Sequence, residues 1–270
     1  MAITSTAVPT VTADEIERFR RDGFVVIDGL FADGELDVLA AEVDTAVERR
    51  AGHDDRPLAD RTLYEQSFVQ CMNLWEDSPG VRPFTFHPAI GRAAAELLGV
   101  AGVRLWHDQA LYKAAGGRET DAHQDQPYWP IAETDTITAW VPLDGSTLAN
   151  GAMGYIPGSH TIGLRRFVDI FRFFGDPIEI LADPAIADTP PVFVEVPRGS
   201  VAFHHGLTVH LAKPNTTDRV RRVHTMIYFA DGHTRGNTHP HFAVDRAGIE
   251  VGAKIDSDVT PLVWPPHRER

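Results

Sequence analysis

Three things are scarce in this chain, and each scarcity removes a class of protein. Cysteine occurs once, at Cys71, so no internal disulfide and no cysteine-based zinc cluster can form within the chain. Basic charge is short: 25 Lys and Arg against 38 Asp and Glu leave a formal net charge of -13. A surface of that sign repels phosphate backbones and anionic headgroups, so neither nucleic acid nor a membrane is an expected partner. Long apolar runs are missing, and none approaches the roughly 20 residues that cross a bilayer. The first twelve residues show no basic start leading into an apolar stretch, so no signal peptide is read and the expected location is cytoplasmic. No repeat, low-complexity tract or linker interrupts the chain. Residues 1–270 therefore read as one domain.

What is present in quantity is histidine, 13 residues of it, and most of these need explaining away before any is given a role. The first hundred residues read as a helical buttress. Thr12 with Glu15 is a capping box opening a short helix that stops at Gly23. Phe24 to Ile27 is a buried strand by its continuous apolar, β-branched character. From Asp33, a candidate N-cap, Leu36, Leu39, Val43 and Val47 recur at helical spacing, and Pro88 starts a helix that ends at Gly99. After Gly102 the pattern changes to short apolar segments, at 103–113, 136–141, 152–156, 192–196, 201–204, 207–211 and 220–229, broken by Gly, Pro, Asn and Asp. That spacing predicts an antiparallel sandwich or barrel over 101–232, mainly β with flanking helices, followed by a C-terminal extension over 233–270.

The sharpest local feature is His123-Gln124-Asp125. In a strand, positions i and i+2 share a face, so imidazole and carboxylate can reach one metal. A third ligand must come from elsewhere. His210, in the apolar context Gly206 to Leu211, is the best candidate. Two histidines and a carboxylate make the facial triad of non-haem iron(II) oxygenases, with three positions left open. Beyond His210 the chain turns at Pro214-Asn215 and returns with Arg219, Arg221 and Arg222. A buried guanidinium there would bind a dicarboxylate co-substrate bidentately, but a solvated basic turn fits the same residues.

His123 to Trp129, Thr138 to Asp144, Gly151, Ile156-Pro157-Gly158-Ser159-His160 and the run from His210 to Arg222, in that order, resemble the phytanoyl-CoA dioxygenase family of Fe(II)/2-oxoglutarate oxygenases. A weaker likeness at Gly23 to Ile27 extends it over most of the chain. The resemblance implies a double-stranded β-helix, a cupin-like jelly roll. It implies iron on His123, Asp125 and His210, with 2-oxoglutarate and dioxygen as co-substrates. It places Arg221 on the distal carboxylate of 2-oxoglutarate, with Arg219 as fallback, and puts Trp140, Thr138, Gln109 and Lys113 around that co-substrate. The turn after Lys113 departs from the family, being Ala114-Ala115-Gly116-Gly117 where a proline is common.

The expected activity is hydroxylation of a small molecule, with 2-oxoglutarate decarboxylated to succinate and carbon dioxide. Trp129, Phe171, Phe174 and Asp231 are expected at the substrate, and the aromatic, arginine-bearing stretch 164–176 reads as a helical insertion that is either a lid or plain packing. His204 and His205 read as a hydrogen-bonded pair at a strand end, and His107 as a satisfied core histidine. Two other classes stay open on the residues: a cupin-type metal-dependent hydrolase or isomerase, and a barrel that binds without metal.

Overall fold

Helices open the chain where the capping chemistry places them. The computed structural model describes residues 11–52, 56–170 and 180–266. Ala13–Asp22 is helical, with both halves of the Thr12–Glu15 capping box formed, and Gly23 closes it at φ 83°, a left-handed conformation that suits glycine. Space makes a second demand for glycine there: a Cβ on Gly23 would lie 2.5 Å from both His160 and Thr208. Helix Asp33–Ala51 buries Leu36, Leu39, Val43 and Val47 as their spacing requires. Its cap lies one residue earlier than expected, because Glu35 reaches back to accept from the Ala32 N–H.

Eleven strands follow in chain order among the described residues: β1 (Phe24–Ile27), β2 (Val69–Met72), β3 (Val103–Lys113), β4 (Thr120–His123), β5 (Thr136–Pro142), β6 (Met153–Tyr155), β7 (Val192–Val194), β8 (Val201–His205), β9 (His210–Ala212), β10 (Arg221–Ala230) and β11 (Leu262–Trp264). One sheet runs β1-β8-β5-β10-β3-β11 with β2 also on β3, and a smaller one runs β4-β9-β6-β7. Together they form the jelly roll. β2 and β11 lie outside the segments read as strands from the sequence. Both are short, and both are held by the long strand β3, which offers an edge that neither could create alone. The N-terminal third is thus woven into the barrel through β1 and β2, and the C-terminal stretch through β11.

Strand β5 shows how one apolar run serves two layers. All seven of its residues are buried. Ile137, Ala139 and Val141 pack outward with Leu36, Leu39, Ile90 and Leu97 of the helices, while Trp140 joins Met153, Tyr155 and Val223 inside the barrel. Period-two alternation therefore sends Thr138 and Trp140 into the interior. Burying the outer face removes roughly 1.5–3 kcal/mol of exposure cost per large aliphatic side chain, which is what holds the helices on the sheet. Strand β3 carries one irregularity. Its partners on β10 jump from His107 to Leu105, leaving Trp106 as an extra residue that re-aims its neighbours. No helix among the described residues is long and apolar enough to cross a membrane.

Candidate metal centre

The interior of the barrel gathers the three expected ligands. His123 ends β4, His210 begins β9, and the two are register partners across the smaller sheet. Asp125 Oδ1 lies 3.7 Å from His123 Nε2 and 3.6 Å from His210 Nε2, and the three ligand atoms fall within 4.8 Å of one another. The local reason for the convergence differs from the strand argument. β4 stops at His123, and Asp125 has αR backbone (φ -75°, ψ -40°), capping the short 3-10 helix Gln126–Tyr128. A turn, not a pleat, folds the carboxylate back over the imidazole. His210 likewise follows a turn over 206–209 and does not sit in the middle of a strand.

The donor set suits a divalent metal. His123 Nδ1 donates to the Asp121 carbonyl at 2.8 Å and His210 Nδ1 to the Thr208 carbonyl at 3.0 Å, so both Nε2 lone pairs face the common point. Burial, reinforced at His123 by the neighbouring His210, pushes both imidazoles down to about 4, which keeps them neutral and ready to ligate at physiological pH. Burial opposes ionisation of Asp125, but the surrounding imidazoles, His210 foremost, outweigh it and hold the carboxyl below its ordinary value. Neutral imidazoles with an ionised carboxylate fit iron(II).

His204 is the residue that sequence reasoning misplaced. It does not pair with His205. Period-two alternation on β8 sends His204 inward, where Nε2 lies 3.1 Å from Asp125 Oδ2, while His205 points outward against Phe19 and His160. Thr138 Oγ1 donates to the same Asp125 oxygen at 2.9 Å, so it is engaged with the ligand carboxylate rather than standing free for a co-substrate. The available signal was strand periodicity: His204 shares a face with Ala202, which packs inside the barrel, while Val201 and Phe203 face the helices.

A cation waits at the other wall. Arg221, the first residue of β10, is buried and faces Trp140, its guanidinium carbon 5.3 Å from the ring centroid. Nη1 donates to the Gly151 carbonyl at 3.1 Å, Nε is buried without a partner, and no carboxylate among the described residues pairs with it. Burial lowers its value to about 10, so it stays charged at neutral pH and lacks a counter-ion. A dicarboxylate supplies one. Arg219 is excluded from this role. Asn215 Nδ2 donates to the carbonyls of Lys113, Ala114 and Arg219, clamping the turn so that Arg219 is exposed and the strand starts at Arg221.

The remaining expected residues divide. Gln109 lines the same cavity and accepts from Gln70 Nε2, and Trp129 lines its outer part. Lys113 does not reach it: its fully buried amine is turned to the carbonyls of Arg118 at 2.6 Å and Lys213 at 3.0 Å, and burial beside Arg221 pushes it down to about 7. Asp231 lies outside the cavity in an ion pair with Arg104 at 2.5 Å. Phe171 and Phe174 lie outside the described residues, and so does Phe173. The described part of the insertion, 164–170, is irregular and not helical; Phe167 is edge-on to Tyr128 at 4.7 Å, and Arg165 is tied to Asp183 at 2.7 Å. His107, re-aimed by the Trp106 bulge, lines the cavity with an unpartnered Nδ1 instead of being satisfied in the core. His241 faces it there, its ring stacked on Trp106 at 4.4 Å.

Comparison with known proteins bears on the same residues. Residues 19–223 match the family model described as phytanoyl-CoA dioxygenase (PhyH). A phytanoyl-CoA dioxygenase domain-containing protein 1 homolog of Caenorhabditis briggsae is 26% identical over 79% of this chain and 89% of its own length. A probable alpha-ketoglutarate-dependent hypophosphite dioxygenase of Stutzerimonas stutzeri is 30% identical over 47% of this chain and 45% of its own. Among solved structures, the non-heme alpha-ketoglutarate-dependent carbocyclase SnoK superposes with a TM-score of 0.76 at 25% identity, covering 93% of this chain and 96% of that one. The epimerase SnoN, solved with Fe3+ and alpha-ketoglutarate, superposes at 0.75 with 26% identity over 93% of this chain and 97% of its own. Fold and site together define an iron- and 2-oxoglutarate-dependent oxygenase. Within that class, the chain belongs to the phytanoyl-CoA dioxygenase family. The alternatives that do without 2-oxoglutarate, a cupin-type hydrolase or isomerase and a metal-free binding barrel, fall away.

Proposed function

We propose that this protein hydroxylates an uncharged small molecule at a C–H bond. The substrate gains one oxygen atom of dioxygen, and 2-oxoglutarate takes the other as it becomes succinate and carbon dioxide. One observation carries the reading: a His-Asp-His set and a buried, unpaired arginine line the same cavity. Iron and the 2-oxo acid, when bound, supply the activation of dioxygen.

The chain's own work is holding and excluding. His123, Asp125 and His210 hold the metal. Arg221 takes the distal carboxylate of the co-substrate, with Trp140 as the wall that fixes the guanidinium plane and Gln109 as a polar neighbour. Thr138 acts through Asp125. Arg221 is suited because its planar fork meets a carboxylate with two parallel bonds. Asp125 occupies the position that a halide would need, which favours hydroxylation or desaturation over halogenation.

Substrate charge follows from what the outer cavity lacks. Asp125 and Arg221 are the only acidic and basic side chains among its described lining residues, and both are committed. Trp129, Phe68, Met72 and Ile227 supply apolar wall, and His107 and His241 supply polar nitrogen. Burial pushes these two imidazoles down to about 4 and about 3, so they meet a ligand uncharged. An apolar, oxygen-bearing molecule matches that lining better than a CoA thioester.

The test is succinate formation from 2-oxoglutarate with iron(II) across a panel of neutral metabolites, acids and acyl-CoA thioesters. Product mass separates added oxygen, loss of two hydrogens and no change, the last because SnoK and SnoN are described as a carbocyclase and an epimerase. Stimulation by acyl-CoA thioesters alone would overturn the substrate reading, and absence of succinate with iron(II) would overturn the reaction.

A further inference from the structure

The metal-ligating carboxylate has two oxygens, and the barrel treats them differently. Oδ1 faces His123 and His210 at 3.7 and 3.6 Å. Oδ2 is turned the other way and accepts two hydrogen bonds, from Thr138 Oγ1 at 2.9 Å and from His204 Nε2 at 3.1 Å. These donors are register partners on adjacent strands of the larger sheet, Thr138 on β5 and His204 on β8. Both are buried, at 4% and 1% exposure, so neither has water as an alternative partner. His204 Nδ1 is buried without any partner, which places the ring proton on Nε2, where it points at Asp125.

That proton also says what His204 is not. A nitrogen that donates to Asp125 Oδ2 has no lone pair for a metal. Although its ring centroid is 4.5 Å from that of His210, His204 is not arranged as a fourth ligand. The loop behind the carboxylate is fixed by the same two strands. The Gln126 N–H donates to the Gly206 carbonyl at 2.9 Å, and Thr136 Oγ1 donates to Gln126 Oε1 at 2.6 Å. Asp125 is therefore gripped at its side chain and at the next residue by β5 and by the chain leaving β8.

We propose that Thr138 and His204 are positioning residues that hold Asp125 as a one-oxygen ligand. The inference rests on the iron reading of the site. A carboxylate free to swing can offer both oxygens and fill two coordination positions. With Oδ2 occupied by two donors, only Oδ1 is available, and three positions of a six-coordinate metal stay open: two for 2-oxoglutarate and one for dioxygen. The pair thus protects the vacancy that the co-substrates need, without touching either one. Bonds of this outer kind are commonly worth about 10–100-fold in metal affinity.

The experiment uses the purified full-length protein with cobalt(II) as a spectroscopic stand-in, and 2-oxoglutarate is titrated into the cobalt-loaded protein. Thr138→Val and His204→Phe each remove one donor. Thr138→Ser and His204→Gln keep one, and Thr138→Ala and His204→Ala serve if a bulkier variant fails to fold. The expected result has three parts. Cobalt affinity drops about tenfold in Val and Phe, their visible d–d bands change in position and intensity, and 2-oxoglutarate binds the cobalt form more weakly. Thr138→Ser returns all three toward wild type, which a general loosening of the barrel does not predict. Wild-type cobalt and 2-oxoglutarate constants with unchanged bands in both donor-deleted variants would overturn the proposal. So would loss of cobalt in His204→Phe as complete as in His210→Ala, which would make His204 a ligand. If the wild-type protein binds no cobalt, or its bands ignore 2-oxoglutarate, the iron reading itself fails, and that result is separate from any variant.

Discussion

The two ends of the cavity use histidine in opposite ways. At the metal end, His123 and His210 each give Nδ1 to a backbone carbonyl two residues earlier, and His204 gives Nε2 to a carboxylate. Every ring there is fixed before a ligand arrives. At the outer end, His107 has no partner for Nδ1, and His241 accepts only the Ala243 N–H at 3.2 Å, its orientation set by stacking between Trp106 and Phe242. The first arrangement spends its hydrogen bonds internally, as a fixed coordination geometry demands. The second leaves capacity for a guest.

The contrast is sharpest if the metal end fails all at once and the outer end fails by degrees. His210→Ala or Asp125→Ala should lower iron(II) affinity by more than about 100-fold, because two remaining ligands cannot hold the ion; equilibrium dialysis with metal analysis measures it. A variant that still retains one equivalent would break the comparison at its stronger end. Arg221→Lys should raise the KM for 2-oxoglutarate about 10–100-fold while leaving metal content alone, since an ammonium cannot form the paired bonds. His107→Ala and His241→Phe should change which substrate supports turnover, by about tenfold in substrate KM for each hydrogen bond lost, with iron and 2-oxoglutarate constants near wild type. An equal loss of metal in those variants would show the two ends to be one network.

The smallest effect concerns stability and lies behind the cavity. Asp108 is fully buried; its Oδ2 accepts from Thr85 Oγ1 at 2.8 Å and from the Trp75 N–H at 3.1 Å, and Oδ1 has no partner. Burial raises this acid to about 7, above its unfolded value. The folded state therefore holds a proton that the unfolded state releases, and this group loses stability as pH rises from the ordinary carboxyl range toward 7. Asp108→Asn should flatten that part of the pH profile, so the Tm difference between variant and wild type grows in the variant's favour from pH 5 to pH 8. A constant difference would show that Asp108 does not titrate there.

Much of this was legible in the chain. The capping box at Thr12 and the Leu36 to Val47 periodicity announce their helices because helix signals are local. His123, Asp125, His210 and Arg221 stand in an order and spacing that few folds share, and their neighbours carry the family resemblance. What escaped had a common cause. β2 and β11 have little pattern of their own and exist because β3 offers them an edge. Thr138 carries a β-branched residue's ordinary signal, and only the β5–β8 register puts its hydroxyl on Asp125. Lys113 was placed by the family resemblance and Asp231 had no local signal; Lys113 finds backbone carbonyls and Asp231 finds Arg104.

The sequence by itself determined the chemistry of the inner site: which side chains can bind a metal and a dicarboxylate, and in what order they come. That information is local, since residue type sets ligand chemistry and short spacings set strand and turn. Tertiary structure alone decided that His204, beside the expected ligand His210, became a donor to the carboxylate of Asp125. His204 and His210 lie six residues apart in similar apolar surroundings. Their roles separate only because one ring meets a carbonyl through Nδ1 while the other meets a carboxylate through Nε2, and those partners come from elements distant in the chain or set by the turn between them.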